Sequence, residues 1–132
     1  MPLLAVIVGG LVGTGLRLGI DALIPHTDDQ FPWSTLAINV AGAFLLGALV
    51  ARVWEWAPDW LRAGLGVGLL GSFTTFSAIA VALVALADAG EWVTAAGYLL
   101  VTMVAGLAAA WAGLALIGER QGYDDESIGV DE

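Results

Sequence analysis

Four apolar runs, each long enough to cross a hydrocarbon core, take up most of this 132-residue chain. A helix needs about 20 consecutive apolar residues for that crossing. The runs extend from about Leu3 to Ile24, Trp33 to Trp54, Leu61 to Ala87 and Trp92 to Gly118. Without water at that depth, only structures that satisfy every backbone group internally can span, which means helices or closed barrels. None of the runs alternates apolar with polar residues as a barrel strand does. The expected fold is therefore all-α, a single four-helix transmembrane domain over residues 1–120, followed by an acidic, disordered tail over 121–132 that has little to bury. Composition agrees. Hydrophobic residues make up 59% of the chain, against roughly 45–50% in soluble domains, and a soluble chain this short could not hide the excess. The first run has no basic stretch before it and no small-residue cleavage pattern, so it reads as a retained helix.

The connections are short. Residues 25–32 form a polar turn bracketed by Pro25 and Pro32, one stopping a helix and the other starting one. Residues 55–60 hold Pro58-Asp59, and Asp88-Ala89-Gly90-Glu91 is a tight turn with a helix-ending glycine. Trp33, Trp54, Trp56, Trp60 and Trp92 sit at the ends of the runs, where indole rings anchor a helix at the interface. Arg52, Arg62 and Arg120 fall on the side that carries both termini, and the other two loops contain no Lys or Arg. The positive-inside rule then places both termini in the cytoplasm of a multi-pass protein of the cell membrane. The net charge of −9 argues against nucleic-acid partners, and the absence of cysteine excludes disulfides and thiolate metal sites. Gly9/Gly13, Gly15/Gly19, Gly64/Gly68 and Gly113 have the spacing of close helix contacts, within one subunit and with a second.

Polar side chains at membrane depth need a partner or a purpose. Arg17 stands alone in helix 1, and two readings stand side by side: snorkelling to the interface, or a buried charge that draws anions to a vestibule. Thr35, Asn39 and Gly42 share one face of helix 2. Asn39 serves either to bond helices together, the preferred reading, or to offer N–H donors to an anion. Helix 3 holds four glycines, Gly64, Gly66, Gly68 and Gly71, followed by Ser72, Thr74, Thr75 and Ser77. Glycine weakens the helix and hydroxyls compete for its hydrogen bonds, so a break near the midplane is expected, lining a cavity or buried in protein. Tyr98 and Thr102 lie one turn apart on helix 4, with Gly106 a turn further on, as a polar track or as two separate interhelical bonds. No acid lies mid-helix, and no catalytic constellation is present, so no residue is a candidate for enzymatic chemistry and a passive path is favoured over proton-coupled transport.

Three stretches carry a resemblance. They are Gly9-Gly10-Leu11-Val12-Gly13-Thr14-Gly15-Leu16-Arg17, Thr35-Leu36-Ala37-Ile38-Asn39-Val40-Ala41-Gly42, and Gly71-Ser72-Phe73-Thr74-Thr75-Phe76-Ser77. In order and placement they closely resemble the CrcB/Fluc fluoride channels. The resemblance implies a passive fluoride-selective channel that exports fluoride and confers resistance to it. It implies two subunits inserted antiparallel, two fluoride paths, and a structural sodium ion held by the backbone carbonyls of Gly71 and Thr74. The family's path residues map onto Asn39, Phe76, Tyr98 and Thr102, with the hydroxyls of Thr75 and Ser77 beside them. Three positions depart from the pattern: Ile79 stands where a second pore phenylalanine is usual, Gly106 where a second serine is, and Leu18 where an aromatic follows the arginine. Those departures and the one-sided arginines point to a heterodimer with an oppositely oriented paralogue, with a homodimer as the alternative. A non-conducting subunit that completes a membrane assembly is the second functional reading. A small multidrug-type exporter ranks last, because it would need a mid-membrane carboxylate in helix 1.

Overall fold

A computed structural model describes residues 1–25, 27 and 30–126, with side chains described through Gly118. The described residues are helical, with no strand among them. Four spans are long and apolar enough to cross a membrane: Pro2–Leu23, Trp33–Arg52, Asp59–Asp88 and Trp92–Gly118. The first two are α1 (Pro2–Leu23) and α2 (Trp33–Arg52). The third is assembled from pieces: α3 (Asp59–Arg62), a π-helical stretch (Ala63–Leu70), a last turn α4 (Gly71–Phe73), and α5 (Phe76–Asp88). The fourth, α6, runs from Trp92 to Glu126.

Prolines set most of the starts. Pro2 opens α1 at a position whose N–H has no helical partner anyway, and Pro32 and Pro58 precede α2 and α3. Between α5 and α6 the backbone turns on Gly90, at φ 79°, a left-handed conformation that favours glycine. The turn is closed by the Gly90 N–H on Ala87 O at 3.0 Å and the Glu91 N–H on Leu86 O at 2.8 Å, which satisfies carbonyls left over at the end of α5. Helix α6 runs past the start of the segment expected as a tail and remains helical to Glu126; residues 127–132 lie outside the described residues.

The π winding was not foreseen. A run of glycines predicts a weak α-helix but not which alternative replaces it. Here the backbone widens to i→i+5 bonding while α1 packs along it. A Cβ on Gly9 would land on the Gly64 carbonyl oxygen, and one on Gly68 would sit 2.7 Å from Val6 O. The second close pair is α2 with α6, where Gly47 faces Ala110 and Gly113 faces Phe44 and Ala48 backbone to backbone. Gly15 and Gly19 make no such contact. Nothing lies within 4 Å of a Cβ built on either, so that half of the glycine pattern is open within the subunit. A compact apolar cluster of Leu36, Ile79, Leu86, Ala95 and Tyr98 joins α2, α5 and α6. Phe31 closes over it, its ring edge-to-face with Tyr98 at 5.3 Å and 90°. Trp33, Trp56, Trp60, Trp92 and Trp111 are exposed, whereas the ring of Trp54 lies against Gly66 of the π stretch.

Candidate ion pathway at the break in the third helix

The third span breaks at Thr74-Thr75, mid-way along it. Thr74 (φ −79°, ψ 151°) and Thr75 (φ −150°, ψ 121°) are both extended. Each break residue ends or starts a helix with its own side chain. The Thr74 N–H and hydroxyl both donate to Leu70 O at 2.9 Å, finishing α4. The Thr75 hydroxyl accepts from the Ala78 N–H at 3.2 Å, an N-cap for α5, and shares a 2.8 Å bond with Ser77 Oγ. The peptide groups of Thr75 are taken up by α2. Its N–H donates to Asn39 Oδ1 at 2.8 Å, and its carbonyl accepts from Asn39 Nδ2 at 3.1 Å. One turn further along α2, Gly42 leaves room for the Thr74 methyl group and the Phe73 ring.

An open groove of about 430 Å³ runs beside this break. Asn39, Gly71, Thr74, Thr75, Phe76 and Thr102 line it, together with Ile79 and Gly106. The structure thus gathers most of the expected path residues around one cavity. Phe76 is 72% exposed, so its ring is available to a ligand or a neighbour, whereas Ile79 is 4% exposed and belongs to the apolar cluster. Ser77 is exposed and reaches the site through Thr75. Tyr98 does not line the groove; it is fully buried in the cluster, one turn from Thr102. The hydroxyl oxygens of Tyr98 and Thr102 are both shielded; they interact with each other one turn apart, and neither makes a hydrogen bond of good geometry to any other group of the protein. A buried hydroxyl left unpaired costs about 1–3 kcal/mol, so the pair, with at most one O–H used between them, has donor capacity left on the groove side at Thr102.

Thr35 and Arg17 lie elsewhere. Thr35 lines a separate cavity of about 190 Å³ with Asp21, Thr27 and Gln30, near the α1–α2 connection. Arg17 lines neither cavity. It is half-buried, with Nε shielded and unpartnered, one turn from Asp21, whose Oδ1 is in the same condition. Three features escaped the sequence reading. Ser34 is fully buried with an unpartnered hydroxyl, Asp21 is partly enclosed, and Leu46 and Met103 line the groove. Ser34 stands in the first turn of α2, where a hydroxyl carries no sequence signal of burial. The apolar liners carry no signal that separates them from lipid-facing residues.

The CrcB-like protein, Camphor Resistance (CrcB) family profile matches residues 4–114. Among similar proteins is the "Fluoride-specific ion channel FluC 1" of Cutibacterium acnes, 38% identical over 117 residues, 85% of this chain and 82% of that one. The "Fluoride-specific ion channel FluC" of Paracoccus denitrificans is 40% identical over 111 residues, 84% of this chain and 90% of its own length. That of Pseudomonas putida is 42% identical over 115 residues, 85% and 93% of the two chains. With a matching profile over residues 4–114 and relatives of this identity covering more than four-fifths of both chains, the chain belongs to the CrcB family.

Proposed function

We propose that this chain is a subunit of a passive fluoride-selective channel of the cell membrane, not an enzyme, and that it exports fluoride down its gradient. The observation that carries this reading is the groove at the broken helix. There an exposed phenylalanine, Phe76, the hydroxyl-bearing Thr102 and the amide-bearing Asn39 line one cavity. A small anion entering such a site loses its water and must be repaid with donors. Thr102 supplies an O–H, and Asn39 keeps one N–H beyond the one it gives to Thr75. The positive edge of the Phe76 ring suits an anion in a dry groove.

The same groove carries the proposed sodium site. Among the described residues no group of three or more His, Asp or Glu could hold a metal, so a cation would be held by backbone carbonyls. Gly71 and Thr74 line the groove, and the N–H groups that would cap their carbonyls in a continuous helix, those of Thr75 and Ala78, are bonded elsewhere. Their oxygens fit a hard cation, which when bound would offset the burial of an anion nearby. Two carbonyls are too few for a full shell, which supports an assembly in which a second subunit, inserted antiparallel, supplies the rest.

The buried, aliphatic Ile79 and the bare Gly106 leave this subunit's set of path side chains incomplete. That favours a paralogue over a second copy as the partner, with both termini of this chain in the cytoplasm. It also sustains the second reading, a non-conducting subunit that only completes a channel. Purified protein in fluoride-loaded liposomes decides among them. Fluoride-selective efflux from the protein alone, lost in Phe76→Ile, establishes a homomeric channel. Efflux only after co-reconstitution with the paralogue establishes the heterodimer. Efflux from paired subunits that is indifferent to Phe76→Ile and to Thr102→Val leaves the structural reading.

A further inference from the structure

The break in the third helix is maintained by groups that intercept the helix's own hydrogen bonds. In a continuous α-helix the Thr75 N–H would bond Gly71 O and the Ala78 N–H would bond Thr74 O. In this protein the first goes to Asn39 Oδ1 at 2.8 Å and the second to Thr75 Oγ1 at 3.2 Å. The carbonyls so released belong to Gly71 and Thr74, which line the groove with Asn39. We propose that Asn39 is a positioning residue: by accepting the Thr75 N–H it keeps the third helix from closing, and so holds the Gly71 carbonyl free to bind a cation.

The geometry of the contact explains why an asparagine stands there. A planar amide presents an acceptor and a donor side by side, as a neighbouring β-strand does, and an extended residue presents its N–H and C=O to match. Asn39 meets Thr75 in this way, through both groups. The Nδ2 hydrogen used is the one cis to Oδ1. The trans hydrogen is left over, so one side chain can hold the break and still offer a donor to the groove. Gly42 completes the cradle, because a Cβ there would strike the Thr74 methyl group and push the break away from Asn39. At membrane depth an unpartnered N–H is costly. With the Asn39 acceptor removed, the partner within reach of the Thr75 N–H along its own chain is Gly71 O, and pairing the two restores the helix.

The functional meaning of this proposal rests on the cation site described above, but its test needs neither fluoride nor sodium. The full chain, labelled with ¹³C,¹⁵N-threonine and held in lipid nanodiscs, reports the backbone at Thr75 through its Cα and Cβ shifts. Wild type gives extended values. Asn39→Ala and the bulkier Asn39→Leu move Thr75 to helical values. Asn39→Asp keeps the acceptor oxygen, in either protonation state, and therefore keeps extended values. Extended shifts in Asn39→Ala or Asn39→Leu would overturn the proposal, as would helical shifts in Asn39→Asp, and the aspartate variant decides the matter if the other two do not fold. Absence of fluoride efflux from the wild-type chain, alone and with its partner, while the shifts follow this expectation would count against the channel reading alone.

Discussion

Replacing Gly113 by alanine tests the packing of α6 on α2. The added Cβ would overlap the Phe44 carbonyl oxygen and lie 2.8 Å from the Ala48 amide nitrogen. Both are backbone atoms and cannot rotate away, so the helices must part by roughly 1 Å to regain ordinary contact distances. A gap of that size forfeits about a quarter to a half of the attraction at each atom pair along the seam, and overpacking of this kind costs about 1–3 kcal/mol. Alanine returns roughly 0.5–1 kcal/mol through its better helix propensity. The net expectation is a loss of about 1–2 kcal/mol. Gly97→Ala, on the same helix with nothing within 4 Å of the new methyl group, keeps the propensity gain without the clash and should stabilise by about 0.5–1 kcal/mol. Reversible unfolding in mixed micelles, followed by tryptophan fluorescence against SDS mole fraction, reads both. If Gly113→Ala shifts the midpoint in the same direction as Gly97→Ala, the close approach of the two backbones is wrong.

Three further substitutions have defined outcomes. Thr75→Ala removes the cap on the Ala78 N–H and the bond to Ser77; a loss of about 1 kcal/mol is expected in the same titration, with Thr75→Ser close to wild type. Ile79→Phe puts a larger ring into the cluster of Leu36, Leu86, Ala95 and Tyr98 and should destabilise by about 1–3 kcal/mol, so restoring the family's aromatic at this position does not by itself raise efflux. Gly15→Leu with Gly19→Leu meets open space inside the subunit. It should leave the unfolding midpoint of a detergent-isolated subunit unchanged while lowering the fraction that crosslinks as a dimer in bilayers, and an unaltered dimer fraction would show that this face meets only lipid.

The four spans were legible because length and apolarity alone decide what can cross a membrane, and their starts agree closely with Pro2, Pro32 and Pro58. The break was legible too, since Gly71, Thr74 and Thr75 weaken a helix and offer it other bonds. What Asn39 does was only half legible. Its amide demanded a partner, but the sequence could not say that the partner is the backbone of Thr75, because that contact joins residues 36 positions apart. Tyr98 and Thr102 looked equivalent on the helical wheel, yet one is packed into the apolar cluster and the other lines the groove. The difference arises from how α5 and α6 meet, which no local pattern encodes. Gly15 and Gly19 share their spacing with Gly9 and Gly13, but only the latter pair meets another helix of the same chain.

The π-helical stretch Ala63–Leu70 sets the rotational phase of everything after it. An α-helix turns about 100° per residue, and i→i+5 winding fits roughly one more residue into each turn. Were those eight residues to tighten into an α-helix, the following turn would swing round by more than about 100°, carrying Thr75 out of line with Asn39. The glycines therefore act like the vernier of a dial. Single-residue insertions or deletions in this stretch should be poorly tolerated even where each new residue is itself apolar, and a compensating change of opposite sign a few positions away should restore alignment without restoring the original sequence.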